Sequence, residues 1–174
     1  MSVVGYGLDE AATRAAVDQM AGAVADAEKD FALTLLAPDE AVERAMARGE
    51  PGAPVVLADT QDNPGAGGNG DTTGLLAALI RHRARDAVLG MLIDPPSARR
   101  AHEAGQGATL DFALGEISGV PGHVPLAGRF AVERIGDGRF TCTGPMFKGF
   151  RMQLGPMALL PSEAAPGVRV VLAS

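Results

Sequence analysis

Three aspartates and four glycines crowd into the fifteen residues from Asp59 to Thr73. Such a stretch cannot pack a core, but it can bring backbone N–H groups and carboxylates up to a ligand. Asp62 and Asp71 flank the glycines at both ends, an arrangement that suits a metal-bound or amine-bearing ligand. Asp62, Asn63 and Asp71 are the candidate catalytic residues, and Gly65, Gly67, Gly68, Gly70 and Thr72 the candidate substrate-binding ones. A purely structural account also covers several of them. Asp71 or Thr72 could cap a helix, and Asp62 to Gly65 could form a plain turn.

Two phosphate-binding patterns match by letter and fail by chemistry. Gly65, Gly67 and Gly70 satisfy G-x-G-x-x-G, and Gly65 to Thr72 has P-loop spacing with Asp71 where the phosphate-binding lysine belongs. An aspartate there repels a triphosphate. No lysine occurs between Lys29 and Lys148, and Asp62-Asn63-Pro64 separates the glycines from any preceding strand further than a dinucleotide fold allows.

The elements that must position this loop flank it. Pro54 to Ala58 reads as a buried strand, because a short apolar run bounded by Gly/Pro and Asp suits a sheet covered on both faces. Leu75 to Ile80 reads as a helix. A loop leaving the carboxyl end of a strand for a helix is where open α/β sheets bind ligands. Downstream, Ala87 to Ile93 gives a second buried strand, and Ser97 to Ala104 a helix closed by Gly105. Asp94 lies at that strand's carboxyl end, either as the helix N-cap or as an acid supporting the site.

Upstream, Asp9 can cap a long helix from Leu8 to Phe31, with Val17, Met20, Val24, Ala27 and Phe31 on one face. Such a stripe is core or a contact surface, and left exposed it favours a homo-oligomer. Ser2 to Gly7 could be the tail of a strand, Phe31 to Leu36 reads as a strand, and Pro38 opens a helix to about Arg48. Gly49 to Gly52 then marks the loosest boundary. From Ala108 the pattern shifts to short strands: Thr109 to Leu114, Gly128 to Ile135 turning through Gly136-Asp137-Gly138 into Arg139 to Cys142, then Arg151 to Leu154, Ala158 to Leu160 and Val168 to Leu172. Met146, Phe147 and Phe150 are expected to fill the core in preference to lining a pocket. The fold class is α/β, with helices around a mostly buried sheet in the first two thirds and short antiparallel strands after it.

Composition narrows the function. The 174 residues, 47% hydrophobic, suffice for one core. A net charge of −6 argues against nucleic acid, and the basic run Arg81 to Arg85 complements a helix C-terminus. No apolar run approaches the ~18 residues of a membrane span, and the first residues lack a signal-peptide pattern. The one cysteine, Cys142, fits a reducing cytosol and small apolar packing, so a cytoplasmic location is expected. His82, His102 and His123 stand alone, without the paired spacing of a zinc site.

At these residues the sequence resembles a known family. Asp59 to Thr73 is similar to the aspartate-asparagine-proline-glycine signature in the C-terminal region of MlrC-like zinc metallopeptidases, the microcystinase C family. Ile93-Asp94-Pro95, Ala104 to Thr109, Thr143 to Met146 and Val170 to Ser174 follow in the family's order. The resemblance implies a zinc-dependent hydrolase of peptide amide bonds. It also implies that residues 1–50 are a helical lead-in, the tail of an N-terminal metal-binding domain, and that residues 51–174 are the C-terminal α/β domain, ending short of the family's C-terminus. The zinc ligands would lie outside this chain, so the expected partners are a peptide substrate and the metal-binding domain. The glycine loop would offer N–H donors to a polarised carbonyl or carboxylate, while Asp62, Asn63 and Asp71 hold the loop or bind a substrate amine. The competing readings are a non-catalytic binding module and, more remotely, a phosphate- or nucleotide-binding protein.

Overall fold

The computed structural model describes residues 2–174 apart from Pro51, Glu116 and Ser118. The chain divides into two compact units, residues 1–36 and 37–174.

In the first unit Asp9 caps α1 (Glu10–Asp26), its side chain accepting from the Ala12 N–H at 2.8 Å. A 3-10 turn, Glu28–Phe31, follows. Within this unit no residue of α1 is buried, and Met20 and Phe31 are about 60% exposed. The apolar stripe is present but only partly covered: Val17, Val24 and Ala27 are half-buried while Met20 and Phe31 stand out. Residues 32–36, expected as a strand, run as irregular exposed chain, as do residues 2–7. A strand needs a neighbour to take its N–H and C=O groups, and neither segment has a ladder partner among the described residues.

The second unit is a mixed α/β structure built on a four-stranded sheet ordered β1-β8-β7-β4. Its central pair is β8 (Val168–Ala173) and β7 (Met157–Pro161), antiparallel to one another, with β4 (Arg134–Gly136) antiparallel to β7 at one edge and β1 (Ala87–Ile93) parallel to β8 at the other, where β1, expected as a buried strand, is only half covered and leaves Val88 exposed. Val168, Val170 and Leu172 alternate along β8 with no exposed surface, and Leu160 joins them from β7. Each fully buried Val or Leu contributes about 1.5–3 kcal/mol. Helices α3 (Gly74–Arg81) and α4 (Pro95–Ala104) pack on this sheet and add Leu76, Ala98 and Ala101. The hairpin β2 (Thr109–Leu114) with β3 (Leu126–Ala131) contributes an edge-on Phe112–Phe130 pair 6.2 Å apart.

Helix α2 (Pro38–Arg48) is held to α3. Val42 is buried, and Arg81 forks onto the Asp39 carboxylate at 2.7–3.0 Å, with His82 Nε2 donating to it at 2.9 Å. The Arg81 hydrogen bonds, then that of His82, hold the Asp39 carboxyl below its ordinary value.

The second unit departs from four further expectations. Pro54 to Ala58 is not a strand: Val56 is 85% exposed and only Leu57 packs against the core. Apolar composition cannot supply the pairing partner that a strand requires. Gly128 to Ile135 is not one strand, because the chain leaves β3 at Ala131 and restarts as β4 on a different sheet. Finally, β4 does not turn into a hairpin with β5 (Arg139–Thr141); β5 pairs with β6 (Arg151–Gln153) as a separate two-stranded arm. Met146, Phe147 and Phe150, expected in the core, sit in the loop of that arm with 60–83% of their surface exposed.

Candidate functional site

The parallel strands β1 and β8 both end at one edge of the sheet, Ile93 beside Ala173. Three loops meet there. The glycine loop is tied to the end of β1 by the Ile93 N–H, which donates to the Gly70 carbonyl at 2.8 Å. Gly70 has a φ of +73°, and a Cβ there would stand 2.7 Å from Pro64 and 3.2 Å from Ile93. Only glycine lets the loop close onto the strand.

The loop's interior is organised by its own acids and amide. Asp59 accepts the N–H groups of Gln61 and Asp62 at 2.9 and 3.1 Å. Asn63 Oδ1 accepts from Gly65 N–H at 2.8 Å, and its carbonyl takes those of Ala66 and Gly68 at 2.9 Å. Gly67 N–H donates to Pro64 O at 3.2 Å. Asp62 does the longest-range work: its two carboxylate oxygens accept the N–H groups of Gly70 and Thr72, each at 2.7 Å. Burial pushes the Asp62 carboxyl up, but the bonds from the Thr72 and Gly70 backbone and the Thr72 hydroxyl outweigh it and hold the group below its ordinary value.

The N–H groups of Gly65, Gly67, Gly68, Gly70 and Thr72 therefore donate within the loop. The nest of amides at Gly70 to Thr72 already holds an anion, the Asp62 carboxylate, and an external phosphate would have to displace it. Asp71, three residues before the first residue of helix α3, is buried with 2% of its surface exposed. Neither Asp71 nor Thr72 is the helix N-cap. That position is Thr73, whose hydroxyl instead donates to the Val124 carbonyl at 3.1 Å.

The second loop follows β1. Asp94, also 2% exposed, caps α4 by accepting from Ser97 N–H at 3.0 Å, and its other oxygen takes Gly115 N–H at 3.2 Å. One carboxylate thus joins two loops. The third loop follows β2, where Gly115, at φ +81°, lies against the Asp71 carbonyl, the Thr73 methyl and the His123 ring. His123 Nε2 sits 2.8 Å from the Gly115 carbonyl, which can only accept, so Nε2 carries the proton. Asp71, Thr73, Asp94, Gly115 and His123 are brought together at the carboxyl edge of the parallel strands.

Of this group the sequence named Asp71 and Asp94 and left Thr73, Gly115 and His123 unconnected. Thr73 and Val124 are 51 residues apart, and no local spacing signals such a contact. The donor chemistry does not fit a zinc ion here. The Nε2 atoms of His82, His102 and His123 face Asp39, the Met157 carbonyl and the Gly115 carbonyl in separate places. Among the described residues no group of three or more His, Cys, Asp or Glu side chains could hold a metal. No described helix is long and apolar enough to cross a membrane.

The family model described as MlrC C-terminus matches residues 57–174. Microcystinase C of Sphingomonas sp. is 37% identical over 82 residues, 44% of this chain and 16% of that protein. Among solved structures, the "Putative metallopeptidase" from Mesorhizobium sp. BNC1 superposes with a TM-score of 0.72 at 27% identity, over 98% of this chain and 32% of that one. This chain thus spans about a third or less of the length of either relative.

Proposed function

The chain belongs to the MlrC C-terminus family, and from that premise we propose that it furnishes the substrate-side wall of a zinc-dependent hydrolase acting on peptide amide bonds. The observation carrying this reading is the convergence of the glycine loop, Asp71, Asp94 and His123 at the carboxyl edge of β1 and β8, where open α/β sheets receive ligands. The names of the two relatives support a peptidase role.

Roles divide by geometry. Asp62 and Asn63 hold the loop, since their side chains are engaged with its backbone. Gly65, Gly67, Gly68, Gly70 and Thr72 give the wall its shape, and Asp71 is the acid that senses a substrate amine. Zinc, when bound, supplies the activated water for amide attack. On this reading its ligands belong to a metal-binding domain outside this chain, which spans only 16% and 32% of the two relatives. The single cysteine suits a cytoplasmic setting. The Asp62-filled nest weighs against the phosphate reading.

The test compares this chain with a longer protein that contains it, measuring zinc content and hydrolysis of a short peptide by each. Chelator-sensitive hydrolysis by the longer protein, with no stoichiometric zinc on this chain alone, is the expected result. Hydrolysis that ignores the chelator would defeat the metallopeptidase reading, and one zinc per isolated chain would defeat the division of the site.

A further inference from the structure

The arm formed by β5 and β6 has no role in the site above. It is a built structure. Cys142 N–H donates to Phe150 O at 2.8 Å, Gly149 N–H to Cys142 O at 2.9 Å, and Leu154 N–H to Gly138 O at 3.0 Å at its base. Its loop nevertheless displays Met146, Phe147 and Phe150 at 83, 60 and 60% exposure, with the two rings 6.3 Å apart. A fixed, exposed aromatic cluster marks an interaction site, because each ring can bury about 150–250 Å². The arm's charge is also unlike the rest of the chain. Between Asp137 and Glu163 there are three basic residues, Arg139, Lys148 and Arg151, and no acid, in a chain of net charge −6.

The complement of both properties lies in the first unit. Residues 3–8 run along α1 and leave an open groove of about 570 Å³, floored by residues such as Val17 and Met20 and edged by Asp9. That volume falls within the about 300–1,000 Å³ of clefts that take a ligand of a few rings. Residues 1–36 carry six acids against Arg14 and Lys29, a net charge of −4.

We propose that the arm is a self-association element whose Met146-Phe147-Phe150 tip seats in the groove of residues 3–20 on a second copy of this chain, with Arg139, Lys148 and Arg151 facing that unit's acids. The occupant is a second copy because one chain holds both a basic apolar plug and an apolar socket on an acidic unit. Nucleic acid or an anionic membrane would match the arm and be repelled by the net charge of the remainder. The contact joins two different surfaces, so each copy offers one tip and one groove. It stands independently of the peptidase reading.

Sedimentation equilibrium of the full chain tests it. The wild type associates reversibly, and more weakly as salt rises from about 0.01 M to about 1 M, which shortens the screening length from about 30 Å to about 3 Å. Replacing the tip by Phe147→Ser with Phe150→Ser weakens association roughly thirtyfold, as loss of a hot-spot aromatic does. Met20→Glu in the groove acts likewise. Both changes are at exposed positions, and unchanged circular dichroism confirms folding. An equimolar mixture of the two variants keeps one intact tip and one intact groove, and associates more tightly than either variant alone. A wild type that stays monomeric at its highest soluble concentration overturns the proposal. So does association that survives loss of the tip, or a mixture no tighter than its components.

Discussion

The carboxylate of Asp62 reaches ten positions along the chain to accept the Thr72 N–H at 2.7 Å, while its other oxygen accepts that of Gly70 at the same distance. This one side chain closes the glycine loop. The fold around it then sets the loop at the end of β1 through Gly70 and Ile93. The glycines serve close packing of the loop on itself, and the acid replaces the anion that such amides would otherwise attract.

Asp62→Ala should therefore cost about 1.5–3 kcal/mol of stability, the scale for bonds to a charged group. Asp62→Asn, which keeps one acceptor oxygen, should cost less. Urea unfolding gives the totals, and hydrogen exchange at Gly70 and Thr72 locates the loss. Unaltered exchange at both amides in Asp62→Ala would show that the closure is not held by this carboxylate.

The pH dependence follows from the same group. Burial raises the Asp62 pKa, the N–H bonds from Thr72 and Gly70 lower it further, and the net is a value below 3.8 in the folded protein. A depressed carboxyl contributes fully above its unfolded value, and that contribution is lost as pH falls through the folded one. Amide protection at Gly70 and Thr72 should hold down to about pH 4 and fall below it, while Asp62→Asn shows no such step. Titration of Asp62 at or above 3.8 would contradict the assigned balance.

Two glycine substitutions separate backbone strain from collision. Gly67 has φ +93° and open space for 4 Å around the point an alanine methyl would occupy, so Gly67→Ala should cost only the left-handed penalty of about 1–2 kcal/mol. Gly115 has φ +81°, and its Cβ would lie 2.5 Å from the Asp71 carbonyl oxygen. Gly115→Ala should exceed the first by at least about 1 kcal/mol, the low end of overpacking costs. Equal costs by thermal unfolding would mean that the loops do not meet at Gly115.

Legibility in the sequence followed the range of the forces involved. Helix α2 and strand β2 are found where spacing and capping put them, Pro38–Arg48 and Thr109–Leu114, because proline at a helix start and alternation in a strand are local signals. Asp94 as a cap is equally local. The failures are all matters of partnership. Val55 and Val56 look like strand residues and pair with no strand among the described residues, and Phe147 and Phe150 look like core and stand on an arm. At the site, the chain order revealed the glycine loop but not that Gly115 and His123 return to it from the far side of β2.

The absence of a buried strand at residues 54–58 can be checked by contrast. Leu160→Ala, at a fully buried position of β7, should cost about 2–5 kcal/mol. Val56→Ala, 85% exposed, should stay within about 0.5 kcal/mol of wild type. A cost for Val56→Ala comparable to that for Leu160→Ala would restore the strand.

The role proposed for Asp71 is contact with the substrate amine of a peptide hydrolase. Its most direct measurement is kcat/KM for a short peptide, taken with a metal-loaded longer protein containing this domain, with and without Asp71→Asn, a replacement of nearly equal volume. The account predicts that Asp71→Asn lowers kcat/KM by about 10- to 100-fold, the scale of a lost hydrogen bond to a charged group, with zinc content unchanged and the variant still folded by circular dichroism. Undiminished kcat/KM in the folded, metal-loaded variant would contradict it.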